Sequence, residues 1–190
     1  MPISIMEICK LDKPIFIAFL RGINSGQNPS IKMLFLREVF ESFGFNNVKT
    51  VLASGNVIFE AESKDDMKLE QRIEKQLPGI IGFESSVTLW RADELLKLYQ
   101  SKPFKDIERT SQTKLYATFI KQGTKVSSDV VQEGQGFRIL EVRNRVLLSV
   151  VDLRTGKTTD LMQTLDKQLG KTATTRNWNT IERIIEKSER

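Results

Sequence analysis

The sequence predicts an α+β fold of two subdomains, residues 1–90 and 91–190, and three observations carry that expectation. Over residues 15 to 90 the hydrophobic periodicity runs strand, helix, strand, strand, helix, strand. A loop with one proline and several charges, Ser101 to Thr113, then interrupts the pattern after a short helix. Beyond it a second set of strands is followed by two helices. The first order is the split βαβ arrangement of a ferredoxin-like domain (βαββαβ), which places its first and third strands in the centre. The second half reads as a related α+β unit whose final strand is replaced by helix, ending in a C-terminal helical pair.

Each element has its own local reason. Ile15 to Arg21, IFIAFLR, is apolar at nearly every position, as a strand covered on both faces should be. Leu36, Val39, Phe40 and Phe43 fall at helical spacing, which predicts a helix from Lys32 to Phe43 stopped by Gly44. Val48 to Leu52 and Asn56 to Ala61 read as strands joined through Ala53-Ser54-Gly55. Ser63-Lys64-Asp65-Asp66 opens a helix with Leu69, Ile73 and Leu77 on one stripe, halted by Pro78-Gly79. Phe83, Ser85, Val87 and Leu89 alternate with Glu84, Ser86, Thr88 and Trp90, the pattern of a half-buried edge strand.

In the second half a short helix at Ala92 to Gln100 leads into the charged loop. Leu115, Ala117 and Phe119 alternate in a strand, Gly123 to Gln135 is ambiguous, and Phe137 to Val142 pairs with Val146 to Val151 as a hairpin. A helix capped at Asp160 carries Leu161, Leu165 and Leu169 and ends at Gly170, and the last helix carries Trp178, Ile181 and Ile185.

Composition narrows the chemistry. There is no histidine, so Ser-His-Asp and Cys-His machinery and the commonest transition-metal ligand are excluded. The single cysteine, Cys9, cannot form an internal disulfide and has no second thiol or imidazole with which to hold zinc. No metal site and no cofactor are expected. A lone cysteine, no basic n-region at the N-terminus and no apolar run of spanning length predict a cytoplasmic protein with no membrane partner. Of the 29 basic and 24 acidic residues, 15 of each lie in residues 1–110, so the net charge of +5 resides in the C-terminal part. Such a surplus suits an anionic partner.

Three segments resemble a known family: Arg21-Gly22-Ile23-Asn24 followed by Ile31-Lys32-Met33, then Ser54-Gly55-Asn56-Val57-Ile58-Phe59, then Thr174-Thr175-Arg176-Asn177-Trp178-Asn179-Thr180. They are similar to the hallmark stretches of a bacterial family of unknown function, domain-of-unknown-function family 1697, over roughly Ile15 to Ile185. The resemblance implies a two-subdomain α+β fold with a ferredoxin-like first half, and it implies no activity. In place of the glycines and lysine usual between Gly22 and Ile31, this chain has Gln27-Asn28-Pro29-Ser30.

Several further motifs resemble chemistry-bearing patterns. Gly22 to Gly26 lies between a strand and a helix, where backbone N–H groups can hold an anion, but its spacing matches neither G-x-G-x-x-G nor a Walker motif. Gly156-Lys157-Thr158 and Gly170-Lys171-Thr172 have Val151 and Leu165 where the first Walker glycine belongs, and read as helix-flanking turns. Phe16 stands where an RNA-recognition sheet would carry a first-strand aromatic, yet Asn56 and Ile58 occupy the third-strand stacking positions. Gly79-Ile80-Ile81-Gly82 reads as a buried turn. Asp65-Asp66 and Asp93-Glu94 read as first-turn acids that complement helix dipoles, and Phe35, Phe40, Phe43 and Phe45 as core around the first helix.

The segment Thr174 to Thr180 stands out. Thr175 or Asn179 can cap the last helix, the latter in a capping box with Glu182, while Arg176, Asn177 and Asn179 place a guanidinium and two amides beside the Trp178 indole, a grouping suited to a planar or anionic guest. The expected function is therefore binding of an anionic or planar ligand: a nucleotide, a phosphorylated metabolite or nucleic acid. The candidate ligand-binding residues are Arg21, Asn24, Lys32, Ser54, Asn56, Arg176, Asn177, Trp178 and Asn179, expected to converge in space. A histidine-independent enzyme acting on a small phosphorylated substrate and a structural or protein-interaction role stay open. No catalytic residue and no oligomeric state follow from the residues.

Overall fold

The computed structural model describes residues 13–63, 65–124, 126 and 133–188. Cys9 with the N-terminal stretch, Lys64 and much of the segment from Gly123 to Gln135 lie outside these. The chain divides into two compact units, the described parts of Met1–Gln100 with Glu182–Arg190, and of Ser101–Ile181.

The first unit runs β1 (Ile15–Leu20), α1 (Met33–Ser42), β2 (Asn46–Val51), β3 (Asn56–Glu60), α2 (Asp66–Gln76), a short α3 (Pro78–Ile81), β4 (Val87–Arg91) and α4 (Ala92–Gln100). Its antiparallel sheet has the order β2-β3-β1-β4, so β1 and β3 are central, as a ferredoxin-like fold requires. Register assigns the faces, because residues directly opposite in a ladder share one. Phe16 stands opposite Phe59, and both enter a core with Leu36 and Phe40 of α1 and Leu69 and Ile73 of α2. Phe59 lies 5.8 Å from Phe16, 5.4 Å from Phe40 and 4.3 Å from Phe45, ring centre to ring centre. The opposite face carries Ile17, Ile58 and Phe19, also buried, which is why β1 is apolar throughout.

Some local expectations shift. Pro78 does not end helical structure but starts α3 from its first position, where a missing N–H costs nothing, and Gly82 closes it at φ +84°. The edge strand begins at Val87 rather than Phe83, and Val87 to Trp90 are buried on both faces, so alternation misjudged its cover. Phe40 and Phe45 are core and Phe43 packs against it, but Phe35 is exposed.

The second unit contains β5 (Thr113–Ile120), β6 (Glu133–Gly134), β7 (Phe137–Arg143), β8 (Val146–Asp152), α5 (Thr158–Leu169), a 3-10 turn (Gly170–Thr172), β9 (Ala173–Asn177) and the start of α6 (Trp178–Ser188), whose residues from Glu182 belong to the first unit. The sheet order is β6-β7-β8-β5-β9. Leu161, Leu165 and Leu169 of α5 pack on Phe137, Ile139, Leu147 and Val151. The two C-terminal helices are present, but the final strand is not replaced: β9 lies between them, antiparallel to β5, with Ala117 opposite Arg176 and Phe119 opposite Thr174. The order β7-β8-β5-β9 thus matches β2-β3-β1-β4. Among the described residues no helix is long and apolar enough to cross a membrane.

Candidate functional site

The β2–β3 hairpin is built by the asparagines that the sequence singles out. Asn56 is fully buried, and its Nδ2 donates to the Val51 carbonyl at 2.9 Å and to Ser54 Oγ at 3.1 Å. Asn24, itself at φ +51°, donates from Nδ2 to the carbonyls of Ile31 at 3.0 Å and Ala53 at 2.9 Å, and its Oδ1 accepts the Ile31 N–H at 2.7 Å. One side chain therefore closes the first loop and ties it to the hairpin. Gly55 is required where it stands: its φ is +74°, and a Cβ there would come within 2.7 Å of the Ile23 side chain. The hairpin so held contains Leu52, a branched residue at φ +56° whose side chain is nevertheless 40% exposed.

Asn24, Ser54 and Asn56 are thus brought together. Arg21 is half-buried, its carbonyl accepting from Ser85 Oγ at 2.8 Å, and Lys32 is exposed at the start of α1. The other candidates belong to the second unit. Arg176 is buried in β9, where Nη1 donates to Thr174 Oγ1 at 2.8 Å and to the Thr175 carbonyl at 2.9 Å. Loss of solvent pushes its guanidinium down to about 10. Thr175 pairs with Thr118 through their hydroxyls at 2.9 Å. The helix cap is neither Thr175 nor Asn179. Because β9 runs up to Asn177, α6 starts at Trp178, and Asn177 Oδ1 accepts the Asn179 N–H at 3.0 Å. Trp178 is buried edge-on to Phe104, ring centres 4.9 Å apart.

A recess of about 530 Å³ opens within the first unit, lined by Lys49, Val51 and Leu52 from β2 and its turn and by Arg183, Glu186 and Lys187 from α6. Lys49 lies opposite Ile58 and Val51 opposite Asn56, which puts both on the sheet face of Ile17 and Phe19. Arg183 and Lys187 are four residues apart and so share one side of α6. Lys187 Nζ donates to the Thr50 carbonyl at 2.8 Å, pinning the helix to β2. Among the described residues neither Lys49 nor Arg183 has an ion-pair partner. Three cations against one carboxylate leave the wall positive, over an apolar floor. None of these six residues stands among the candidates taken from the sequence; the only sequence signal was the basic surplus of the C-terminal part.

The remaining motifs are structural. Gly156-Lys157-Thr158 does follow a strand and precede α5, beside a smaller recess of about 360 Å³. Its first two N–H groups are taken up within this chain, that of Gly156 by the Asp152 main-chain carbonyl at 3.1 Å and that of Lys157 by a carboxylate. Asp160 is the third residue of α5, not its cap, and its Oδ2 accepts the Lys157 N–H at 2.9 Å. Asp152 takes Arg154 through both oxygens, and that guanidinium holds its carboxyl down to about 2. Gly170-Lys171-Thr172 is the 3-10 turn. Asp65 caps α2 by accepting the Lys68 N–H, whereas Asp66 does more than complement a dipole, taking Arg91 through two 2.6 Å hydrogen bonds. Among the described residues no cluster of acids or thiols could hold a metal ion.

A family model described as "Protein of unknown function (DUF1697)" matches residues 14–145. No curated protein matches the chain. Among solved structures, that of a conserved bacterial protein, SP0830 from Streptococcus pneumoniae, is similar with a TM-score of 0.67 and 18% identity, covering 94% of this chain and 99% of that one. At that identity the likeness concerns the fold.

Proposed function

Because this chain belongs to the family described as protein of unknown function DUF1697, which supplies no activity, we propose from the geometry that it is a cytoplasmic binding protein for a small anionic ligand, held in the recess of Lys49, Arg183 and Lys187. The observation that carries this reading is the concentration of three cations and one carboxylate around a concave apolar floor. A cleft lined by one sign of charge with low-dielectric walls focuses its field on a guest of the opposite sign. The volume, about 530 Å³, falls in the range of ~300–1,000 Å³ typical of small-molecule sites. A recess with three cations at one spot favours a small molecule over a nucleic acid, whose backbone calls for an extended basic track.

In this reading Asn24, Ser54 and Asn56 position the hairpin that supplies one wall and do not themselves grip the ligand. The amides of Asn24 and Asn56 donate to backbone carbonyls, and the Ser54 hydroxyl accepts from the Asn56 amide. The run from Arg176 to Asn179 has an architectural part, Asn177 capping α6 and Trp178 anchoring it.

Titration calorimetry with inorganic phosphate and pyrophosphate tests the proposal. Binding is expected, weakening as salt rises. The double variant Lys49→Glu, Arg183→Glu should lose about tenfold or more in affinity, since one unit charge at 4 Å contributes about 1 kcal/mol even in bulk water. Lys49 is half-buried and Arg183 exposed, so melting should be little changed. Absence of binding, or equal affinity in the double variant, would reject the recess as the site.

A further inference from the structure

The recess offers three kinds of group, and together they describe a ligand more closely than charge alone. This inference rests on the reading of the recess as an anion site. Its cations come from two elements, Lys49 from β2 and Arg183 with Lys187 from α6, so a terminal phosphoryl group between them meets donors on both sides. Glu186 adds an acceptor beside them, repelling a fully ionised phosphoryl group and favourable to a ligand that also presents hydroxyl or amino hydrogens.

The third component is Leu52. A branched residue in the left-handed region bears a backbone cost of roughly 1–3 kcal/mol, and an asparagine or glycine would avoid it. Here the strained residue is also an exposed apolar one, 40% accessible, on the wall of a charged recess. Asn56 grips the carbonyl before it and Asn24 the carbonyl after it, through hydrogen bonds of 2.9 Å each. With Val51 next to it, Leu52 forms an apolar surface in a fixed place. Such a surface at the side of an anion site suits the flat face of a ring attached to the phosphate.

We propose that the recess takes a phosphorylated compound with a planar ring and hydroxyl hydrogens, the chemistry of a nucleoside monophosphate: the phosphoryl group at Lys49, Arg183 and Lys187, the ring on Leu52 and Val51, and a ribose hydroxyl or exocyclic amine donating to Glu186. A sugar phosphate shares the anion and the hydroxyls but has no flat aromatic ring to lay on Leu52.

The test compares adenosine monophosphate, ribose 5-phosphate, inorganic phosphate and a short single-stranded oligonucleotide by calorimetry on the full chain. The expected order is the mononucleotide tightest, ribose 5-phosphate next and phosphate weakest. Leu52→Asn, which suits the left-handed backbone and should fold at least as well, is expected to lose about tenfold for the mononucleotide, as removal of one buried leucine contact implies, and to leave phosphate binding unchanged. Glu186→Gln should weaken the mononucleotide and ribose 5-phosphate while strengthening phosphate slightly. If phosphate binds but the mononucleotide binds no better, or Leu52→Asn leaves their ratio untouched, the ligand class is wrong and the anion site stands. If none of the four binds, the anion site itself falls. An oligonucleotide that binds far more tightly than the mononucleotide would replace the small-molecule ligand with a strand.

Discussion

Asn56 shows how a residue can look like a binding group in sequence and serve as a brace in the fold. Its amide lies where no solvent reaches, donating to Val51 and Ser54, and a buried carbonyl left without its donor costs ~1–3 kcal/mol. Asn56→Ala is therefore expected to lower the unfolding free energy by about 2 kcal/mol, measured by urea denaturation, and to weaken ligand binding by loosening Leu52. Retained stability would mean that the hairpin is held by other contacts. The same logic separates Arg176 from the cations of the recess. Arg176 is desolvated and hydrogen-bonded within β9 to Thr174 and Thr175, whereas Arg183 is exposed beside open volume. Arg176 stands out in the sequence and Arg183 does not, because the neighbours of Arg176 are unusual, and here they meet the needs of a buried guanidinium.

At the scale of elements, α2 and β4 illustrate how acids became structure. Asp66, Glu70 and Glu74 recur every four residues along α2, while Arg91, Leu89 and Val87 recur every two along β4. The rises, about 6.0 Å for four helical residues and about 6.8 Å for two strand residues, nearly coincide. The ladder that results pairs Asp66 with Arg91, Glu70 with the Leu89 N–H at 2.8 Å and Glu74 with the Val87 N–H at 3.3 Å. Outward N–H groups of an edge strand are thereby covered, which protects it from pairing with another chain. Glu70→Ala is expected to cost about 2 kcal/mol, the range of a hydrogen bond to a charged group, with a lower urea midpoint as the readout; an unchanged midpoint would show that β4 needs no such cover. Which elements the sequence disclosed follows from their surroundings. β1 was legible because IFIAFL is covered on both faces. β4 was placed too early because Phe83 to Ser86 alternate like a strand, although pairing with β1 begins at Leu20 opposite Val87. β9 is missing from the expected elements, its place given to helix, because Thr174, Thr175 and Arg176 carry little hydrophobic signal, and only their pairing with β5 makes them a strand.

On the scale of the molecule, local windows lose their reach. The ferredoxin-like order of the first unit was readable because each element declares itself within ten or so residues. The recess was not, since Lys49 and Lys187 are far apart in the sequence and come to line one recess only where the final helix lies against β2. What sequence did supply was the hairpin that shapes one wall, and the basic surplus of the C-terminal part, to which Arg183 and Lys187 belong. Amide chemical shifts of the isotope-labelled protein, followed as adenosine monophosphate is added, test the account most directly. Shifts concentrated at Lys49 to Leu52 and at Arg183 to Lys187 are predicted. A spectrum that does not move, or one whose changes gather elsewhere, would contradict it.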